Sequence, residues 1–459
     1  MKQVLTLGSL FDGIGGFPFA GEIAGIKPVW AAEIEPLCVA VTKHRFPDML
    51  HFGDVSKLNG TDLPPVDIIT FGSPCQDLSV AGQRKGLKHK KNGDGETTRS
   101  GLFFDAVRII YEMREATNGL YPTFIVWENV PGAFTSHSGR DFRTVLEEIT
   151  QTDIPMPGSK RWANAGVVRS ERIHAAWRVL DAQYWGVPQR RKRIFLVGSF
   201  GTDCAEKISF NRDSVRGYLA PNRETGQDTV ADIRKSTQKC DSACSVNTVV
   251  FDARGNGDGN TAPTITGDHN GHISDYTAVV AQGVDLYNQT LTGDKAMTVR
   301  AKNQSCDHIP CVVYSTGSID KAPSHARGIG YELDGNGGNP TCNQGGTVIV
   351  QELIDWIVRR LTPRECERLQ GYPDDWTVLP QISDMSEADY LFFRDVFCTY
   401  RAINGKRVKK LPTKEQIVKW YNKLDKDSPR YRALGNSLAI PCALRVLDGI
   451  AEVWKERIE

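Results

Sequence analysis

Three short motifs carry side chains that could perform covalent chemistry on a planar ring. Cys75 lies in a Gly-Ser-Pro-Cys-Gln stretch, Glu128 begins a Glu-Asn-Val stretch, and a later basic run contains Gln189, Arg191 and Arg193. A thiolate is a nucleophile, a carboxylic acid can donate a proton, and nearby guanidinium groups lower the pKa of a thiol. Together the motifs suggest covalent attack by Cys75 on a base that Glu128 and the arginines hold.

Cys75 and Glu128 each have an ordinary interpretation as well. Most cysteines are buried and unreactive, but Pro74 fixes the backbone beside this thiol in a loop where no strand pairing needs the missing N–H group. Attack of sulfur on C6 of a cytosine would place negative charge on the ring. Glu128 could stabilise that charge at N3 if burial raises its pKa. Otherwise Glu128 is a capping or salt-bridged glutamate, and Asn129 fixes the loop.

A glycine-rich turn follows the first predicted strand and opens a helix. Its candidate ligand-binding residues are Phe11, Asp12, Gly13, Gly15 and Gly16. Glycines let the backbone approach a ligand and expose N–H groups at a helix start. The spacing differs from the GxGxxG dinucleotide fingerprint, so the methionine part of S-adenosylmethionine fits better than a pyrophosphate. Such a turn can also be nothing more than a turn.

Two acidic residues at the next strand ends strengthen the ligand interpretation. Glu33 ends the second predicted strand, where a carboxylate would accept hydrogen bonds from ribose hydroxyls. Asp54 follows the third strand and could read an adenine amino group. Ligands of open α/β sheets bind at the carboxyl ends of the strands, so three signals at successive strand ends are more specific than any one alone.

Strand and helix patterns alternate from the start of the chain to about Gly201. This predicts an α/β fold with a doubly wound, mostly parallel sheet. The predicted strands are residues 4–10, 28–32, 49–52, 66–71, 123–127, 177–184 and 193–199, and the predicted helices are 16–25, 35–45 and 102–117.

The composition changes after residue 200. Residues 201–350 are rich in Gly, Asn, Asp and Thr, with β-branched pairs that recur like an irregular repeat. This pattern predicts a second, smaller β-rich domain. Helical patterns then return, and Thr362, Pro363 and Glu365 predict a capping box. We therefore expect domains at 1–200 and 201–428, with a helical insertion at about 380–428, and a C-terminal segment at 429–459.

Composition and charge restrict the function only loosely. The net charge of +1 over 459 residues does not indicate a nucleic-acid protein, although residues 83–99 contain six basic and two acidic side chains. That segment is either a solvated loop or a mobile, phosphate-contacting active-site loop. Eleven cysteines without framework spacing favour a reducing cytoplasm. The sequence predicts no signal peptide and no transmembrane helix.

In this order, the motifs resemble those of the cytosine-C5 DNA methyltransferase family of the bacterial and phage kind. The resemblance covers about residues 4–200 and 360–455 and includes the blocks beginning at Arg360 and Gly435. It implies that S-adenosylmethionine is the cofactor and that its pocket is formed by Phe11, Glu33, Ile34, Asp54, Val55, Leu102, Asn436 and Ser437. Cys75 would then attack C6, Glu128 would hold N3, and Arg191 would contact the flipped base or the surroundings of the nucleophile.

The resemblance also implies the partners. The substrate would be double-stranded DNA, from which the target cytosine flips out, and residues 201–358 would form a target recognition domain that reads the major groove. We expect a monomer that acts in the cytoplasm of a bacterial cell, or of a phage host, without a membrane partner. Its role would be restriction-modification, with a cognate restriction endonuclease, or phage self-protection.

Several alternatives remain open at this point. The chain could be an RNA cytosine methyltransferase, although the length of 201–358 favours DNA, or a catalytically silent DNA-binding protein, against which the intact motifs count. The repeat-like region could recognise several DNA sites. The potential ligands Cys240, Cys244, Cys306, His308 and Cys311 lack a standard zinc spacing, so we predict no metal.

Overall fold

The computed structural model describes residues 4–73, 101–201, 203–210 and 361–458, together with four short strands between residues 249 and 293. The basic segment 83–99 and the five potential zinc ligands lie outside the described residues. The short strands form two antiparallel pairs, which join Val249–Asp252 to Thr277–Val280 and Gly283–Asp285 to Thr290–Gly293.

An eight-stranded sheet organises the part of the chain that precedes Gly201. Its strands are β1 (Thr6–Leu10), β2 (Lys27–Ala32), β3 (Leu50–Phe52), β4 (Ile68–Phe71), β5 (Phe124–Asn129), β6 (Ala165–Arg169), β7 (Ile173–Asp181) and β8 (Lys192–Phe200). Their order across the sheet is β3-β2-β1-β4-β5-β8-β7-β6. Strands β1 to β5 run in the same direction, so their carboxyl ends meet at one edge, which we call the carboxyl edge.

The sheet is mixed, and the expected parallel arrangement is confirmed for its first five strands, which account for four of the seven strand pairings. Strands β1 to β5 are parallel, whereas the β5–β8, β8–β7 and β7–β6 pairs are antiparallel. The connection from β7 to β8 spans only residues 182–191, which is too short for the crossover that a parallel pair requires. The predicted strand at 177–184 was placed too late, because its last residues form a short 3₁₀ turn.

Ten α-helices lie in the described part of the chain. They are α1 (Gly16–Ile23), α2 (Pro36–Arg45), α3 (Gly101–Ala116), α4 (Arg140–Thr150), α5 (Cys204–Phe210), α6 (Pro363–Gln370), α7 (Glu387–Ile403), α8 (Lys414–Tyr421), α9 (Asp427–Asn436) and α10 (Ile440–Ile458). The predicted capping box is confirmed at the start of α6.

Helices cover both faces of the sheet. Ile68, Phe124 and Val126 belong to a core shared with α1, α2 and α10, whereas the alternate residues Ile69 and Ile125 belong to a core shared with α3 and α4. Both faces of β4 and β5 are buried for this reason, and their sequences read as continuous apolar runs.

Residues 361–458 pack onto the sheet and onto α1. Trp376 is buried in the same core as α1, and its indole nitrogen donates to the carbonyl of Ile14 at 2.8 Å. Gln370 donates to the carbonyl of Leu434 at 2.7 Å. Helices α6 and α10 thus share one hydrophobic core with the sheet, although β8 ends at Phe200 and α6 begins only at Pro363.

Among the described residues, no single helix has the length and apolar character needed to cross a bilayer; α9 and α10 meet that criterion only as a pair, bent by 42°.

We expect Glu367→Ala to lower the free energy of unfolding by about 3–5 kcal/mol, because it breaks a largely buried ion pair. Glu367 is fully buried, lies 3.2 Å from the Arg430 guanidinium and accepts a 2.9 Å hydrogen bond from the Thr377 backbone. Arg364→Ala, in the same helix, is the control: it breaks a pair with exposed Asp375 and should cost about 0–1 kcal/mol. Urea denaturation that gives equal losses for both variants would contradict this assignment.

Candidate active site

The candidate catalytic motifs meet at the carboxyl edge because β8 runs antiparallel to β5. In the register of this pair, Glu128 lies opposite Phe195 and Asn129 opposite Ile194. The start of β8, rather than its end, therefore lies beside the end of β5. This direction brings Arg193 next to Glu128, which a parallel β8 would not do.

Glu128 and Arg193 form a nearly buried ion pair. The distance from Arg193 Nε to Glu128 Oε1 is 2.9 Å, and each side chain is 13% exposed. Burial raises the pKa of Glu128, and the positive charges of Arg193 and Arg191 oppose that shift. A Cβ placed on Gly72 would lie 3.3 Å from Glu128 Oε2, so the loop after β4 passes close to the carboxyl group.

Two side chains of β5 hold the start of the loop that leads to Cys75. The Trp127 indole donates to the Ser73 hydroxyl at 3.2 Å, and the Asn129 amide donates to the Ser73 carbonyl at 3.1 Å. Cys75 itself lies outside the described residues. The structure therefore fixes the chain up to two residues before the thiol, against the strand that carries Glu128.

Arg191 is fully buried and connects two distant parts of the chain. Its guanidinium donates to the carbonyl of Gly435 at 2.8 Å and also to that of Ser437, while its backbone N–H donates to Asp181 Oδ1 at 3.1 Å. Burial lowers the pKa of Arg191, and Arg193 lowers it further. Gln189 is also fully buried, and its amide has no hydrogen-bond partner among the described residues.

The glycine-rich turn has the left-handed backbone that its composition favours. Phe11 has a φ of 54°, Gly13 of 59° and Gly15 of 82°; these angles suit glycine and are uncommon for Phe. A Cβ placed on Gly16 would lie 2.7 Å from the Tyr372 hydroxyl. A larger residue at position 16 would therefore have to displace the buried Tyr372 side chain.

Glu33 ties this turn to the end of β2. Its Oε2 accepts from the Gly13 N–H, and its Oε1 accepts from the N–H groups of Ile34 and Glu35, each at 2.8 Å. The sequence predicts that this carboxylate accepts hydrogen bonds from ribose hydroxyls. Because a carboxylate oxygen can accept two hydrogen bonds, Oε2 retains one site for such a hydroxyl.

Asp12 is a buried acid at the same turn. It is 7% exposed, and neither carboxylate oxygen has a hydrogen-bond partner of good geometry among the described residues. Burial raises the pKa of Asp12 to about 8; the Ser9 hydroxyl opposes this shift and Glu33 adds to it. A buried carboxyl group without a donor is a site where a ligand cation or donor would be stabilised.

The other cofactor candidates lie at the ends of strands or helices and in the C-terminal segment. Asp54 caps the 3₁₀ turn Val55–Lys57 by accepting from the Ser56 N–H at 3.0 Å, and Val55 is buried. Leu102 is half-buried at the start of α3. Ser437 is buried, with its hydroxyl 2.5 Å from that of Tyr372, whereas Asn436 is exposed.

Sequence reasoning missed Asp181, Tyr372 and Trp376. Asp181 positions the backbone of Arg191, and its other oxygen accepts from Gln183 at 2.7 Å. Tyr372 and Trp376 follow α6 and pack against Phe19 of α1. Neither aromatic residue has a local sequence signal, because their partners lie near the start of the chain.

A comparison with known protein families gives a match over most of the chain. A family model described as C-5 cytosine-specific DNA methylase matches residues 5–388. The DNA N-6-adenine-methyltransferase of Escherichia phage P1 is 29% identical over 98% of this chain and 62% of its own length. The type II methyltransferase M.HhaI of Haemophilus parahaemolyticus is 25% identical over 82% of this chain and 86% of its own length.

The chain thus spans less than two thirds of the length of the phage relative. Among solved structures, the Dnmt2 methyltransferase of S. pombe is similar in fold, with a TM-score of 0.50 and 14% identity over 99% of both chains.

We expect Arg191→Lys to destabilise the protein by about 1–3 kcal/mol, because an ammonium group cannot reach both carbonyls and leaves a buried acceptor without its donor. Hydrogen exchange of residues 434–440 should also become faster. The control is Arg190→Lys at the adjacent exposed position, which should change stability by no more than about 0.5 kcal/mol. Equal effects of the two variants would contradict the bridging role.

We expect Asp12→Asn to remove part of the pH dependence of stability. The folded-state pKa of Asp12 is raised to about 8, so the folded protein binds this proton more tightly than the unfolded chain does. The resulting stability is present at low pH and is lost as pH rises towards 8, by at most about 1.4 kcal/mol per pH unit. The free energy of unfolding, measured in urea at several pH values, checks this; an unchanged profile in Asp12→Asn would contradict it.

Proposed function

The chain belongs to the C-5 cytosine-specific DNA methylase family, and on that premise we propose that it methylates carbon C5 of a cytosine flipped out of duplex DNA. The donor would be S-adenosylmethionine. The main support is the Glu128–Arg193 pair, which lies beside the loop that leads to the Pro-Cys motif.

The proposed reaction begins with the thiolate of Cys75. Its sulfur forms a bond to C6, and the electrons of the C5–C6 double bond move towards C5 and the N3 side of the ring. Glu128 stabilises this charge at N3 by donating a proton or a hydrogen bond, which requires its acid form. The raised pKa of Glu128 favours that form. C5 would then take the methyl group of the sulfonium, whose S–C bond would break to leave a neutral thioether. Loss of the C5 proton to solvent and of the Cys75 thiolate from C6 restores the double bond.

The arginines and Gln189 have positioning roles in this scheme. Arg193 holds the Glu128 carboxyl group in place. Arg191 fixes the backbone of the C-terminal segment against the active site. The buried amide of Gln189 could form a hydrogen bond with a bound group, because it has no hydrogen-bond partner among the described residues.

The residues around the glycine-rich turn fit S-adenosylmethionine, which supplies an electrophilic methyl group when bound. Asp12 would stabilise the ammonium group, because its buried carboxyl group lacks a donor of good geometry among the described residues. Glu33 would accept a ribose hydroxyl through Oε2. The remaining pocket would be formed by Phe11, Gly13, Gly15, Gly16, Ile34, Asp54, Val55, Leu102, Asn436 and Ser437.

The target DNA sequence would be recognised by the region between the end of β8 and the start of α6. We keep the proposed division into 1–200, 201–428 and 429–459, with a target recognition domain within the second part that reads bases in the major groove. The enzyme would act as a monomer in the cytoplasm of a bacterial cell or a phage host. It would serve restriction-modification, with a cognate endonuclease, or phage self-protection.

Adenine-N6 methylation is a second candidate, because the phage P1 relative is named for that activity. An exocyclic amine is itself a nucleophile and needs no thiol adduct. The Pro-Cys motif, the raised pKa of Glu128 and the matched family all favour cytosine C5. The name of the phage relative applies to a protein of which this chain spans only 62%.

Covalent trapping tests the proposed function. With duplex DNA that contains 5-fluorocytosine, the C5 fluorine cannot leave as a proton does, so the Cys75–C6 bond should persist and survive denaturing electrophoresis. Cys75→Ala should form no such adduct but should still bind labelled S-adenosylmethionine. Cys398→Ala, which alters a half-exposed cysteine of α7, should form the adduct like the wild type. An adduct with Cys75→Ala, or none with the wild type, would contradict the covalent scheme.

A further inference from the structure

A strongly basic loop joins α7 and α8 in the insertion that the proposed reaction does not use. Residues 401–414 contain no acidic side chain and six basic ones, which are Arg401, Lys406, Arg407, Lys409, Lys410 and Lys414. We use the name basic loop for residues 404–413. The remainder of the chain carries a net charge of −5, because residues 401–414 contribute +6 to the total of +1.

The four cations of the basic loop are exposed and uncompensated. Lys406, Arg407, Lys409 and Lys410 are all exposed, and none forms an ion pair with a described residue. By contrast, the flanking Lys414 pairs with Asp384 at 2.7 Å. The positive charge of the loop is therefore available to an anionic partner.

The loop is held by a packed helical hairpin. The Tyr390 hydroxyl donates to the carbonyl of Pro412 at 3.0 Å, and the capping box of Thr413 and Gln416 begins α8 directly after the loop. Ring contacts between Phe397 and Trp420, 5.2 Å apart, join α7 to α8. Because both ends are fixed, a partner that binds the loop orders little additional chain.

The hairpin is oriented so that the basic loop lies at the carboxyl edge. Lys43, near the end of α2, lies 3.5 Å from Asp389, near the start of α7. Tyr400, near the end of α7, interacts with Glu35, which precedes α2 and follows β2. Helix α7 therefore runs antiparallel to α2 and ends at the same edge of the sheet as Glu128 and Arg193.

From this placement we propose that the basic loop binds the phosphate backbone of duplex DNA outside the target base pair. The inference rests on the proposed function, because it requires DNA at the carboxyl edge. Exposed Lys and Arg side chains bind phosphates without reading sequence and release counterions as they do so. The loop would thus add affinity on flanking DNA, beyond the region proposed to recognise the target.

The test replaces the four loop cations by glutamine and measures binding to a duplex as a function of salt. The variant is Lys406→Gln, Arg407→Gln, Lys409→Gln and Lys410→Gln in the full chain. Since each lost phosphate contact reduces the slope of log affinity against log salt by about 0.9, the slope should fall in magnitude by about 2–4, and the affinity at low salt about tenfold or more.

The matched control removes the same net charge at the opposite edge of the sheet. Lys27 begins β2, Arg172 precedes β7, and Lys455 and Arg457 lie at the end of α10, where Trp454 contacts Phe124 at the start of β5. All four are exposed. Their replacement by glutamine should leave the salt slope within about 1 of the wild type.

The outcomes separate this inference from the proposed function. A reduced slope in the loop variant alone supports the loop as a DNA contact. An unchanged slope in the loop variant overturns it and leaves an acidic protein as the alternative partner of the loop. An equal reduction in the control also overturns it, because the effect would then follow net charge. If the wild type neither binds nor methylates duplex DNA, the proposed function itself fails.

Discussion

The candidate active site depends on one fully buried guanidinium group, that of Arg191. Burying a cation without hydrogen-bond acceptors is costly. Here the acceptors are the carbonyls of Gly435 and Ser437, which lie 244 and 246 residues further along the chain. The start of β8 and the end of α9 therefore stabilise each other. Through these contacts the C-terminal segment packs beside the carboxyl edge of the sheet.

The same segment also shapes the glycine-rich turn. Ser437, whose carbonyl binds Arg191, has its hydroxyl 2.5 Å from that of Tyr372, and a larger residue in place of Gly16 would have to displace Tyr372. Trp376 binds the carbonyl of Ile14 in the same turn. Contacts of Tyr372, Trp376 and Ser437 thus connect the region proposed to bind the cofactor with the region proposed to bind the base.

The sequence predicted those parts of the site that local patterns determine. Glu128 and Arg193 were recognised because each follows or precedes an apolar run, and the capping box of α6 is a local pattern between Thr362 and Glu365. Their meeting as an ion pair depends on the antiparallel direction of β8, which the alternation of strands and helices does not reveal. Helix α4 was missed although Phe142, Val145, Leu146 and Ile149 have helical spacing. Tyr372 and Trp376 could not be predicted, since their contacts join residues that are distant in the chain.

The proposed function is defined by the identity of the methylated base. The most direct measurement is therefore to incubate the protein with duplex DNA and isotopically labelled S-adenosylmethionine and to identify the labelled nucleoside by mass spectrometry. We expect label in 5-methylcytosine within a defined sequence context. Label in N6-methyladenine, or no label in DNA at all, would contradict it.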